Sequence, residues 1–205
     1  EGSNNRTYDA YYADVLLDPT SPLPAITKFE NGLLTGNDPA AELYVNQCEF
    51  SDNGAGDGYT HNLYAGSIAR CHVRASYFAR AQVGQLLKTR ARESRILYNR
   101  LTDEAGGRAS YELEFPNGGA VLAMGNLIVQ ERSTQNSAIV SYGPEGYRWP
   151  ENELLLVHNT IVNRRTAGAV FVRVYPGPVL ALVQNNLFVG SGSLNGVIDG
   201  PGSGN

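Results

Sequence analysis

A seven-residue pattern, apolar–x–apolar–x–Asn–x–apolar, recurs down most of this chain and restricts what it can fold into more than any other feature. It reads in full at Leu122–Ile128, at Leu155–Ile161 and at Leu182–Phe188, and over its last six positions at Ile96-Leu97-Tyr98-Asn99-Arg100-Leu101. Two weaker copies come earlier, at Tyr44–Phe50 and His72–Phe78. The last apolar residues of the six units are Phe50, Phe78, Leu101, Ile128, Ile161 and Phe188, spaced 28, 23, 27, 33 and 27 residues apart. Each interval holds a second short β-like run: His61–Gly66, Gln85–Arg90, Ser110–Phe115, Ser137–Gly143 and Ala169–Val174. Gly, Asn, Asp, Ser and Pro fill the spaces between runs, and no 11-residue stretch carries a capped helical period. Short strands at such a period, joined by loops of variable length, specify a β-solenoid. The fold class expected is all-β, a parallel β-helix (solenoid) of about five to six rungs.

Within that frame the recurring Asn has a structural role. Identical side chains at a bend stack ~4.8 Å apart, close enough for amides to hydrogen-bond up a ladder, and Asn tolerates the left-handed backbone of a tight turn. The same alignment sets Cys48 beside Ser76 and leaves Cys71 five residues earlier along the chain, roughly 15 Å away and beyond the ~7 Å reach of a disulfide. Two free thiols follow.

The repeat occupies residues 41–190. Residues 1–40 have no clean period and contain Pro19, Pro22, Pro24 and Pro39. They read as an irregular N-terminal edge layer, with short strands near Ala25–Phe29 and Gly32–Leu34 and tyrosines 8, 11 and 12 as packing residues. Asn5-Arg6-Thr7 is a glycosylation sequon. Residues 191–205 read as a Gly/Ser-rich tail without a capping helix, so end-to-end or lateral self-association is expected of a solenoid left open. The net charge of −4 argues against a nucleic-acid partner bound through phosphates. No run of 18 apolar residues signals a membrane span.

Strand alternation places the side chains. Aligning Leu63, Leu87 and Leu113 as inward positions sends Asn62 and Tyr64, then Leu86, Lys88 and Arg90, then Glu112 and Glu114 outward. The next rungs add Ser141 or Tyr142, and Arg173. Tyr64, Lys88 and Glu114 then share one column. Lys88 is one of only two lysines. The family resemblance given below implies a carbohydrate-active reading of this strip. Removal of a proton α to a uronate carboxylate needs a cation on that carboxylate, a base and an acid. Arg90 is the clamp, Lys88 the base, and Tyr64 or His61 the acid or base. Asn62, Glu112, Glu114 and Asn117 are the remaining substrate contacts, with Tyr147 and Trp149 as sugar-stacking platforms on the long 143–150 insertion. Glu112, Glu114 and Asp57 are the oxygen ligands for a Ca²⁺ ion. A plain cross-strand charge ladder accounts for the same strip. Glu112 and Glu114 also suggest the paired carboxylates of a glycoside hydrolase. His72 and His158 sit in repeat units and have no ligand spacing.

Segments such as Gly58–Tyr64, Leu86–Ala91 and Ser110–Gly119 resemble bacterial right-handed parallel β-helix repeat proteins of the pectate-lyase-like superfamily. A more distant similarity is to polysaccharide lyases of the chondroitinase-B/alginate-lyase type, in which a Lys-Ser pair supplies the catalytic lysine and a neighbouring rung an arginine. Lys88-Thr89 stands in a similar place. The neighbouring rung here is Tyr111-Glu112-Leu113-Glu114, without arginine, and Arg90 is the nearest substitute. The resemblance implies the right-handed form of the β-helix and a secreted or periplasmic protein that acts on an acidic polysaccharide by β-elimination. The alternative, of a different class, is a non-catalytic extracellular solenoid that binds glycans or assembles into fibres. Leu86, Val140, Val172 and Val174 are the outward apolar positions available to such a face.

Overall fold

The computed structural model describes residues 25–196, so the Asn5 sequon, tyrosines 8, 11 and 12 and the last nine residues lie outside the described part. Every described element is a strand, and every strand pairing is parallel. Three sheets of seven, seven and six strands wrap the chain into a β-solenoid of about six turns. No described helix is long and apolar enough to cross a membrane.

One coil shows how the sequence makes the fold. Glu93–Leu97 lies in the third sheet, Arg100–Thr102 in the first and Leu113–Phe115 in the second. The recurring heptad is therefore not a single strand. It spans the sharp corner from the third sheet to the first. The first sheet pairs Phe50 with Phe78, Phe78 with Leu101, Leu101 with Ile128, Ile128 with Ile161, and Ile161 with Phe188, which is the alignment the repeat predicts. The second sheet likewise aligns Leu63, Leu87, Leu113, Val140 and Val172. Inward side chains thus stack on their own equivalents. The Phe50 and Phe78 rings stack with centres 5.0 Å apart and planes nearly parallel, an arrangement that aromatic pairs favour. Parallel pairing begins at Ala25–Thr27 and Leu33–Leu34, and Gly192–Asn195 still pairs with the strand before it.

The corner is closed by side-chain amides. Asn99 Nδ2 donates to Asn126 Oδ1 at 3.0 Å, Asn126 to Asn159 at 2.9 Å and Asn159 to Asn186 at 2.9 Å. Each amide oxygen also accepts the backbone N–H of the residue one coil earlier: Ser76, Asn99, Asn126 and Asn159 in turn. The left-handed conformation belongs to the residue before the Asn, not to the Asn itself. Gln47, Ala75, Tyr98, Gly125, His158 and Asn185 all have φ between 47° and 68°. The extended Asn is thereby freed to turn its amide inward. Cys48 N–H donates to Ser76 Oγ, so the ladder continues into the weaker repeats with Ser in place of Asn. Both cysteines are free, as the register requires.

Candidate functional site

Tyr64, Lys88, Glu114, Ser141 and Arg173 form one column on the second sheet. The column carries the charged strip, but the strip is not an open surface. Residues 143–150 fold over it. Gly143 and Gly146, at φ 78° and 86°, make the turn, and the backbone N–H groups of Glu145 and Arg148 bond to the carbonyls of Pro116 and Asn117. Tyr147 packs its ring on Tyr142. A Cβ on Gly118, Gly143 or Gly177 would stand within 2.6 Å of that ring, so glycine is what leaves room for it. Trp149 Nε1 donates to the carbonyl oxygen of Arg90 at 3.0 Å. Both aromatic residues expected to face sugar are thus half-buried parts of the loop's anchorage.

Arg90 is the centre of the site. Its two terminal nitrogens grip the Glu145 carboxylate at 2.7 Å each. Nη1 also donates to Asn117 Oδ1 at 2.8 Å, and Nε to the Tyr64 hydroxyl oxygen at 2.6 Å. Lys88, its side chain 12% exposed, lies 3.4 Å from Glu114 and 3.9 Å from Glu145. Its ammonium also sits 5.4 Å from the Tyr64 ring centre. Gln85 Nε2 donates to Glu114 Oε2. Burial raises the Glu114 carboxyl above the usual range, with Lys88 opposing it. The hydrogen bonds from Arg90 hold Glu145 below that range. Three polar atoms here have no partner: Gln85 Oε1, Asn117 Nδ2 and Ser141 Oγ.

His61 ends the neighbouring loop and is buried. Its Nδ1 accepts the Gln85 N–H at 3.1 Å, and its ring meets Tyr64 edge-on at 5.3 Å. Burial, with help from Lys88, pushes it down to about 3, so at neutral pH it is an uncharged acceptor rather than a proton donor.

Several expected positions fall elsewhere. The second-sheet strands Leu63–Ala65, Leu87–Thr89 and Leu113–Phe115 are only three residues long. The residue ahead of each sits in the bend, where alternation fails. Asn62, Leu86 and Glu112 are all fully buried, inward rather than outward. Asn62 bonds Asn53 and the Ala79 carbonyl, and so stands in the interior rather than on the strip. Val140, Val172 and Val174 are likewise buried and offer no apolar outer face. Glu112 receives the Thr134 hydroxyl at 3.3 Å and feels the charge of Asp103, while Glu114 pairs with Lys88. The two glutamates occupy separate environments and do not flank a common bond. Asp57 instead caps its own exposed loop, accepting from Tyr59 N, Thr60 N and the Thr60 hydroxyl, which lower its pKa. Among the described residues no three His, Cys, Asp or Glu side chains gather as a metal centre, so Glu112, Glu114 and Asp57 do not make one.

The residue that the sequence reading missed is Glu145. It lies 55 residues from Arg90 on the longest insertion, outside the repeat register. A shallow groove of about 360 Å³, lined by Arg100, Glu104, Leu127, Val129, Glu131 and Arg164, runs along the first sheet and holds none of the expected residues. No protein-family model, no curated protein and no solved structure matches the chain.

Proposed function

We propose that the protein binds an acidic polysaccharide at the strip, with a uronate carboxylate held by Arg90 and Lys88. One observation carries this reading. The Glu145 carboxylate, on a side chain 44% exposed, already occupies a bidentate seat on Arg90 beside Lys88. The planar guanidinium fork matches a carboxylate at two points. Glu145 therefore acts as an internal stand-in that the glycan displaces. A polymer of this kind places the protein outside the cytoplasm, secreted or periplasmic.

A second reading, β-elimination, is favoured by the Tyr64 hydroxyl, 2.6 Å from Arg90 Nε and on the same side as Lys88. One of this pair would take the proton α to the bound carboxylate. The electron pair forms the C=C bond, the β C–O bond breaks, and the other supplies the proton to the leaving oxygen.

Calorimetric titration with polyuronates such as polygalacturonate and alginate tests binding. Arg90→Ala abolishes it, and Glu145→Gln tightens it several-fold by removing the competitor. Absence of binding to any polyuronate, or binding untouched by both substitutions, overturns the proposal. Ultraviolet absorbance of an unsaturated product, lost in Tyr64→Phe, separates elimination from binding alone.

A further inference from the structure

Away from the strip, at the corner where the first sheet passes to the second, two successive coils bury a set of unsatisfied oxygens. Asp103 follows the strand Arg100–Thr102. Its Oδ2 accepts the Ala109 N–H at 2.7 Å, and its Oδ1 has no partner. Glu112 precedes Leu113–Phe115. Its Oε1 accepts the Thr134 hydroxyl, and its Oε2 has no partner. Gln130 ends the next first-sheet strand. Its Nε2 is committed to the Asn136 carbonyl at 3.0 Å, and its Oε1 has no partner. All three residues are 0% exposed. The Gln130 amide lies against Glu112, the Thr134 hydroxyl donates to Glu112, and Glu112 feels the charge of Asp103.

The stacking makes this placement unusual. In the position one residue before the Leu87–Leu113–Val140 column, the coils on either side of Glu112 carry Leu86 and Ile139, both fully buried. A carboxyl group stands where its stack neighbours are hydrocarbon. Burial raises both acids, Asp103 to about 7, with the Glu131 charge adding at Asp103 and the Asp103 charge adding at Glu112, while Arg80 opposes the rise at Asp103.

The three vacancies are all oxygens, and two of them belong to carboxyl groups that must either keep a proton or meet a cation. A water molecule neutralises no charge. A thiophilic or imidazole-seeking metal finds neither sulfur nor nitrogen ligand. A hard divalent cation takes oxygens alone, carboxylate and amide together, with loose demands on geometry when it is Ca²⁺. We propose that Asp103 Oδ1, Glu112 Oε2 and Gln130 Oε1, with the Thr134 hydroxyl at their edge, form a calcium site built into the solenoid corner. Glu112 alone is common to this site and to the trio expected from the sequence. Such a site joins two coils where no ladder does.

The full chain, stripped with EGTA, is titrated with CaCl₂ at pH 7.5 by calorimetry and by thermal melting. One Ca²⁺ per chain binds, and at about a hundredfold excess over Kd the folded-to-unfolded ratio rises about a hundredfold. Glu112→Gln keeps the shape, removes the charge and abolishes both responses, as does Gln130→Met. Asp57→Asn leaves both intact. No heat and no melting shift at millimolar Ca²⁺, or a response that survives Glu112→Gln, overturns the assignment. Loss of the response in Asp57→Asn instead assigns the ion to the exposed loop and equally overturns it.

Discussion

Substituting Asn126 measures what the corner ladder contributes. Its side chain takes part in four hydrogen bonds: to the Ile96 carbonyl at 2.7 Å, to Asn159 Oδ1 at 2.9 Å, and from Asn99 N and Nδ2 at 2.9 and 3.0 Å. Asn126→Ala removes all four and leaves the buried Asn99 N–H without an acceptor. Each ordinary bond is worth about 1 kcal/mol net, and an orphaned buried group costs about 1–3 kcal/mol, so the loss is about 4 kcal/mol. Against a total stability of roughly 5–15 kcal/mol that is severe. Asn126→Ser keeps an oxygen for Asn99 N–H, as Ser76 does for Cys48 at 3.1 Å, and costs about 2 kcal/mol on the same scale. With a urea m-value of about 2 kcal/mol/M, the unfolding midpoint falls by about 2 M for Ala and about 1 M for Ser. An Ala variant within about 1 kcal/mol of wild type, or a Ser variant as damaged as Ala, refutes the reasoning.

Two more outcomes follow from groups already described. The folded protein keeps His61 neutral down to about pH 3, whereas the unfolded chain protonates it near 6.5. Acidification through that window therefore draws the equilibrium toward unfolding. By pH 4.5 wild type loses roughly 2–3 kcal/mol relative to His61→Gln, read from denaturant curves of the two proteins at several pH values; parallel pH profiles would rule out a neutral, buried His61. Val83, a β-branched residue at φ 67°, is strained, and Val83→Asn raises stability by about 1 kcal/mol; a melting temperature that falls in this variant contradicts the assignment of strain.

The parts of the molecule that obey the repeat were readable in advance. Phe50 through Phe188, and Leu63, Leu87 and Leu113, align as expected because burying an inward position in a parallel stack leaves no choice of register, whereas Val140 and Val172, expected outward, continue that inward column. The Tyr64–Lys88–Glu114 column follows from the same rule. Failures cluster where the chain bends. Leu86 and Glu112 turn inward because a three-residue strand ends before alternation can fix them. Asp103, Gln130 and Thr134 were not visible as partners of Glu112 because their turns differ in length and carry no register. Glu145 reaches Arg90 from an insertion that the repeat does not describe.

The Asn ladder has a direction. Every amide points its nitrogen at the next coil's oxygen, and each backbone N–H from Ser76 to Asn159 demands an oxygen on that same side. Rotating one amide by half a turn would set oxygen against oxygen at one link and N–H against N–H at the other. Orientation is thus a single choice shared by all four side chains. Their dipoles add head to tail and polarise one another, so the corner is a vector along the solenoid axis, negative toward Asn99 and positive toward Asn186. A coil whose chain ran the opposite way would present its N–H groups to the wrong neighbour and could not join the stack.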